Sequence, residues 1–185
     1  GLAMETLEKE WIEYPILHLD LNTEKYDTPQ TLENKLSLNL KMWEDEYGAN
    51  EYEYSLATRF EGVIRRAAEK WGRNVVILID EYDSPLQHSW RTPHHEACTS
   101  IYREVFAILK ADDKYEKFVF ITGITKFTQI SLFSVLNNLS NISFEPEYAA
   151  ICGITKEEML RDFKPEIGKL AAYEDWTYDE AVAQL

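Results

Sequence analysis

The sequence predicts an α/β fold built on a mainly parallel sheet. Two nearly continuous apolar runs, Val75-Val76-Ile77-Leu78-Ile79 and Phe118-Val119-Phe120-Ile121, have the β-branched and aromatic character of strands buried on both faces. A shorter run, Ile16-Leu17-His18-Leu19, precedes them. The stretches between carry apolar residues at helical spacing, and strands alternating with helices are the pattern of a parallel sheet with helical crossovers.

Taken in order, residues 5–13 form a polar lead-in, and Tyr14 to Leu21 reads as a short strand with Pro15 at its start. Thr28-Pro29 supplies an N-cap followed by proline at the first helical position. Leu32, Leu36, Leu40 and Trp43 then mark one face of a helix that Gly48 stops. That leucine stripe is core, being too short for a coiled coil. A second helix runs from about Ser55 to Trp71, with Leu56, Phe60, Val63, Ile64 and Ala67 on its apolar face and Gly72 beyond its end. After the second strand, Gln87 to Ala97 reads as a polar loop. A helix follows from Thr99 to Lys110, and the third strand spans Lys117 to Gly123. Ser131 to Asn141 predicts a short helix and a loop, and Tyr148 to Gly153 a final short strand. Thr155 with Glu158, and Thr177 with Glu180, have capping-box spacing and should each open a helix.

Composition narrows the function. A length of 185 residues fits one domain or most of one, and a 45% hydrophobic fraction is ample for a core. The formal net charge of -14 should repel a nucleic-acid backbone, so no direct nucleic-acid binding is expected of this segment. No apolar run approaches the length of a membrane span. Cys98 and Cys152 show neither CxxC nor zinc-ligand spacing and read as reduced thiols, which points to the cytoplasm.

The chemistry concentrates where the second strand ends, at Asp80-Glu81-Tyr82-Asp83. Carboxylates are costly to bury, so they belong at the C-terminal mouth of the strand, the edge where open α/β sheets bind ligands. Asp80 there suits a hydrated Mg²⁺, and Glu81 beside it suits polarising a water for attack on a phosphate. Thr122 ends the third strand at the same edge. Asp83 reads either as support for the metal site or as a turn former. Lys126, just past the third strand, reads as a phosphate contact or as a solvated lysine. The phosphate-binding pattern G-x-x-x-x-G-K-[ST] is absent: none of the seven glycines precedes Lys-Ser or Lys-Thr.

Four segments together resemble the bacterial predicted AAA-ATPase-like family. They are Val76 to Leu86, Phe118 to Phe127, Leu136-Asn137-Asn138-Leu139 and Ile151-Cys152-Gly153-Ile154-Thr155, with Tyr14 to Asp20 resembling the family's preceding strand. The resemblance covers about residues 11–163, leaving 164–185 as the start of a following helical region. It implies a three-layer P-loop-NTPase-like parallel sheet flanked by helices. It further implies ATP and Mg²⁺ as cofactors, Asp80 as the magnesium-organising acid of the Walker B type, Glu81 as catalytic base and Thr122 as a polar sensor of the γ-phosphate. Members often carry a C-terminal nuclease-like domain of the PD-(D/E)XK class, so an adjoining domain is an expected partner; a homo-oligomer is a further candidate. The family's phosphate loop lies upstream of the Tyr14 strand. The expectation is therefore a fragment without the first strand, phosphate loop and first helix, inactive alone and with apolar surface exposed. A degenerate domain serving protein interaction is the alternative.

The remaining candidates have simpler readings. His94-His95-Glu96 near Cys98 is expected to be solvated polar surface rather than a metal site. Arg59, Arg65, Arg66 and Arg103 could each act as an arginine finger, but each reads first as a helix-surface residue.

Overall fold

The computed structural model describes residues 7–124, 138–151 and 153–185. The chain divides into two compact units, Gly1–Leu139 and Ser140–Leu185.

In the first unit three strands, β1 (Ile16–Asp20), β2 (Val75–Asp80) and β3 (Glu116–Ile121), form a parallel sheet in the order β1-β2-β3. The long crossover from β1 to β2 contains α1 (Pro29–Tyr47) and α2 (Leu56–Trp71). Thr28 caps α1, accepting from Thr31 N, while Ser55 and Thr58 close a capping box on α2. Gly72 ends α2 in the left-handed conformation that glycine adopts without strain.

The crossover from β2 to β3 departs from the expected loop. Ser84–Ser89 forms a short helix α3, and α4 (His95–Phe106) begins four residues before Thr99. Pro85 sits in the first turn of α3, where its missing N–H is no loss. The 87–97 segment looked polar because it holds three histidines and a threonine. Its helical turns are instead anchored by Leu86, Ser89 and Cys98, all buried. Ala107 interrupts the predicted 99–110 helix, leaving the single turn α5 (Ile108–Ala111).

Burial alternates along the sheet. Leu17 and Leu19 of β1 and Val75, Ile77 and Ile79 of β2 are buried, and Val119 and Ile121 of β3 pack against the same core. Leu32, Leu36 and Leu40 of α1, Phe60, Val63 and Ile64 of α2, and Tyr102, Val105 and Phe106 of α4 complete it. Each such side chain contributes roughly 1.5–3 kcal/mol relative to exposure. The opposite face is open among the described residues. Ile16 is 55% exposed and Phe118 54%, and Val76 and Leu78 are half-buried between them. These strands were expected to be buried on both faces; here the helices cover one.

In the second unit the expected strand at 148–153 is replaced. Pro146–Tyr148 makes a 3-10 turn, opened by Pro146, whose fixed φ suits a turn, and the described residues around it are exposed. The helices α6 (Lys156–Asp162), α7 (Lys164–Tyr173) and α8 (Tyr178–Gln184) follow. Both expected capping boxes form, Thr155 with Glu158 and Thr177 with Glu180. Ile167, Ala171 and Ala181 make a small core with Leu160, Tyr178 and Val182. Most of the short helix expected at 131–141 lies outside the described residues.

Candidate functional site

Parallel register carries three polar residues to one end of the sheet. Asp20, the last residue of β1, is the register partner of Asp80, the last of β2. Thr122 follows β3 directly, its backbone N–H donating to Ile79 O at 2.8 Å. The Thr122 hydroxyl donates to Asp80 Oδ1, which also accepts from Glu81 N at 3.0 Å. Both contacts fall on Oδ1, so the second oxygen of this exposed carboxylate has no protein hydrogen bond among the described residues. A hard, solvent-facing oxygen of this kind is what a hydrated Mg²⁺ takes from a protein.

Glu81 leaves the strand with φ of 52°, a left-handed conformation that a non-glycine residue adopts only under constraint. The constraint is visible on both sides. Tyr82 N donates to Thr122 O at 3.0 Å, and Ser84 N donates to Glu81 O at 3.0 Å. The hydroxyl of Tyr102, on α4, donates to Tyr82 O at 2.8 Å. Burial, joined by Tyr26, Asp83, Cys98 and Tyr82, pushes the Tyr102 hydroxyl far above the usual tyrosine range, so it remains a donor. Asp83 is fully buried, and its Oδ2 accepts from Gln87 Nε2 at 2.6 Å. Gly123 passes so close that a Cβ there would overlap Asp83 Oδ1 and the Tyr82 ring.

The structure thus brings Asp80, Glu81 and Thr122 together at one edge, with Asp83 directly behind them. Lys126 lies outside the described residues. The sequence reading missed Asp20, Tyr102, Gln87 and Gly123. Two of these carried a signal. Asp20 ends an apolar run as Asp80 does, and Tyr102 is a hydroxyl-bearing residue on an otherwise apolar helix face that has to find a partner.

Three of the candidate arginines are held within the fold. Arg59 grips Glu44 with two contacts, Nε–Oε1 at 2.6 Å and Nη2–Oε2 at 2.9 Å, and donates to Ser37 Oγ at 2.8 Å. Arg65 pairs with the buried Asp112 at 3.0 Å, and Arg66 with Glu53. Arg103 is exposed. His95 Nδ1 lies 3.2 Å from Ser89 Oγ, and its ring meets Trp90 edge-on at 4.9 Å. Among the described residues no group of three or more His, Cys, Asp or Glu side chains is placed to hold a metal ion. Cys98 is free and buried, and burial raises its thiol pKa. No described helix is long and apolar enough to cross a membrane.

A parallel α/β sheet with a paired acid at the end of one inner strand and a hydroxyl from the next strand bonded to it defines a class of strand-edge sites suited to phosphate chemistry. Residues 1–133 match the family described as Predicted AAA-ATPase, and the chain belongs to that family. A curated protein of Azotobacter chroococcum mcd 1, described as an uncharacterized protein in vnfD 5'region, is 32% identical over 157 residues, covering 83% of this chain and 30% of its own length. The chain therefore spans less than a third of that relative. No solved structure matches it.

Proposed function

We propose that this chain supplies the acidic half of an ATP-hydrolysing site in a three-layer P-loop-type domain, and that the phosphate grip comes from a segment outside these residues. The observation that supports this reading is the Asp80–Thr122 hydrogen bond beside Glu81 at the C-terminal edge of the sheet. The donor chemistry fits the metal: Asp80 would hold Mg²⁺ through its outward oxygen, and magnesium bound there would neutralise charge on the β- and γ-phosphates.

The chain's own residues have distinct tasks in this reading. Glu81 orients a water and accepts its proton during in-line attack on the γ-phosphate. Thr122 fixes the Asp80 carboxylate and stands where the γ-phosphate is sensed. Asp83 supports the turn from behind, and Lys126 serves as a phosphate contact. Turnover drives a change in an adjoining domain, nuclease-like by resemblance, of a cytoplasmic protein that works as an oligomer. The 185-residue chain by itself is inactive.

The test is MgATP titration calorimetry and phosphate release on the full-length protein, its Glu81→Gln variant and the 185-residue chain. The expected pattern is binding and turnover by the first, binding alone by the second and neither by the third. Undiminished turnover by Glu81→Gln removes Glu81 from its role.

A second reading rests on the open sheet face. Phe118 and Ile16 are more than half exposed there, and Phe118 stacks on Phe120 at 5.9 Å, a surface suited to a protein-binding module without turnover. Absence of MgATP binding by the full-length protein favours it.

A further inference from the structure

We infer that Tyr102 and Gly123 are positioning residues for Glu81, holding the turn that keeps it in the left-handed conformation at the strand end. This deepens the ATPase reading and rests on it.

The geometry is specific to one turn. Glu81 at φ 52° is one of three non-glycine residues with positive φ among those described, and the one that follows a sheet strand directly. A residue in that region relaxes unless its neighbours over-determine it. Its two peptide neighbours are fixed through different elements. Asp80 is held by the Thr122 hydroxyl, from the β3 side. Tyr82 is held at its N–H by Thr122 O and at its carbonyl by the Tyr102 hydroxyl, which is 1% exposed. Tyr102 can do this because α4 packs its Cys98–Tyr102–Phe106 face into the core, with the Tyr102 and Phe106 rings 4.8 Å apart. Gly123 completes the bracket. Asp83 is buried and bonded to Gln87, and Tyr82 is 7% exposed, so a methyl group at position 123 presses on two side chains with little room to move. A side chain at position 123 therefore pushes against the Tyr82–Asp83 turn that follows Glu81.

Neither residue needs to touch nucleotide, so the signature differs from that of a binding residue. In the full-length protein, Tyr102→Phe lowers kcat for MgATP about tenfold or more, with KM for ATP nearly unchanged, because a displaced base loses alignment and not affinity. Gly123→Ala presses on the same turn from the β3 side and gives the same split, and it carries the test if Tyr102→Phe does not fold. A residue with a structural role alone lowers the melting temperature and the active fraction, and its effect persists in any background. A positioning residue acts through Glu81, so Tyr102→Phe added to Glu81→Gln lowers the residual rate no further. The inference is overturned if Tyr102→Phe and Gly123→Ala both turn over at the wild-type kcat, or if their effects multiply with that of Glu81→Gln. Wild-type protein without turnover removes the ATPase reading and this inference together. Wild-type turnover that Glu81→Gln abolishes and both positioning variants leave intact removes the inference alone.

Discussion

The Thr122 hydroxyl donates to Asp80 Oδ1 across two parallel strands that meet at their C-terminal ends. It links a residue just outside one strand to the last residue of its neighbour, and so leaves only one orientation for the carboxylate. Thr122→Val keeps the shape and deletes the donor. The pair is near solvent, so the expected stability change is about 1 kcal/mol or less. The expected effect on MgATP turnover is much larger, a fall of tenfold or more in kcat. Thermal melts alongside phosphate release on the same preparation separate the two, and equal losses in both would refute a role for the bond in orienting Asp80.

Glu81 should be a site where function opposes stability. A left-handed non-glycine residue costs about 1–2 kcal/mol, and glycine carries an entropic penalty of about 0.5–1 kcal/mol elsewhere in the chain, so Glu81→Gly should stabilise the fold by about 0.5–1 kcal/mol. Urea unfolding of the variant should give a higher midpoint with an unchanged slope. A lower midpoint would show that the Glu81 side chain contributes contacts that outweigh its backbone.

The other end of the sheet has its own pH response. Glu116 opens β3 with Oε1 buried and without a hydrogen-bond partner among the described residues. Burial, then Asp113 and Asp112, push its carboxyl from 4.5 up to about 8. In the unfolded chain it is ionised from its ordinary range upward, whereas the folded chain keeps its proton until about pH 8. The folded state therefore binds more protons between those limits, and this group's contribution to stability falls as pH rises through the window. Glu116→Gln should flatten that slope and raise the melting temperature most near pH 8. Melting curves at acidic, neutral and alkaline pH test this; parallel curves for the two proteins would show that Glu116 is ionised in the fold.

Arg59 and Glu44 tie α2 to α1. With their side chains 19% and 7% exposed, they form a pair that is costly to break from one side. Arg59→Ala should destabilise the domain by about 3 kcal/mol, because it strands the Glu44 carboxylate. Replacing both partners by apolar residues should recover most of that loss. Denaturant midpoints of the single and double variants decide it, and an Arg59→Ala protein of wild-type stability would mean that water reaches Glu44.

The sequence made the frame of the first unit legible where local chemistry and periodicity agreed. Thr28-Pro29, the leucine stripe and Gly48 bound α1 to within a residue, and the strand ending at Asp80 stands where its apolar run stops. The 87–97 segment was misread because its two turns are held by a few buried side chains and not by a repeating apolar face. The strand at 148–153 failed for the opposite reason: among the described residues of its unit no strand stands to pair with it, and Pro146 favours a turn. At the site, Asp80, Glu81 and Thr122 could be found because acids and hydroxyls at strand ends are visible along the chain. Tyr102 showed only that its hydroxyl needs a partner, and that partner, Tyr82 O, lies 20 positions away; Gly123 showed nothing, because its importance lies in its approach to Tyr82 and Asp83, about 40 positions away, which a local pattern does not encode.

The left-handed turn at Glu81 also bears on how such a sequence changes over generations. While turnover is selected, a glutamate persists in a conformation that glycine or asparagine would adopt more readily. Once selection for turnover ends, position 81 becomes the place where drift meets least resistance, since the substitutions that disable the site also relieve the backbone. Copies of this domain retained only for interaction should therefore be recognisable by what stands at that one position, before any assay is run.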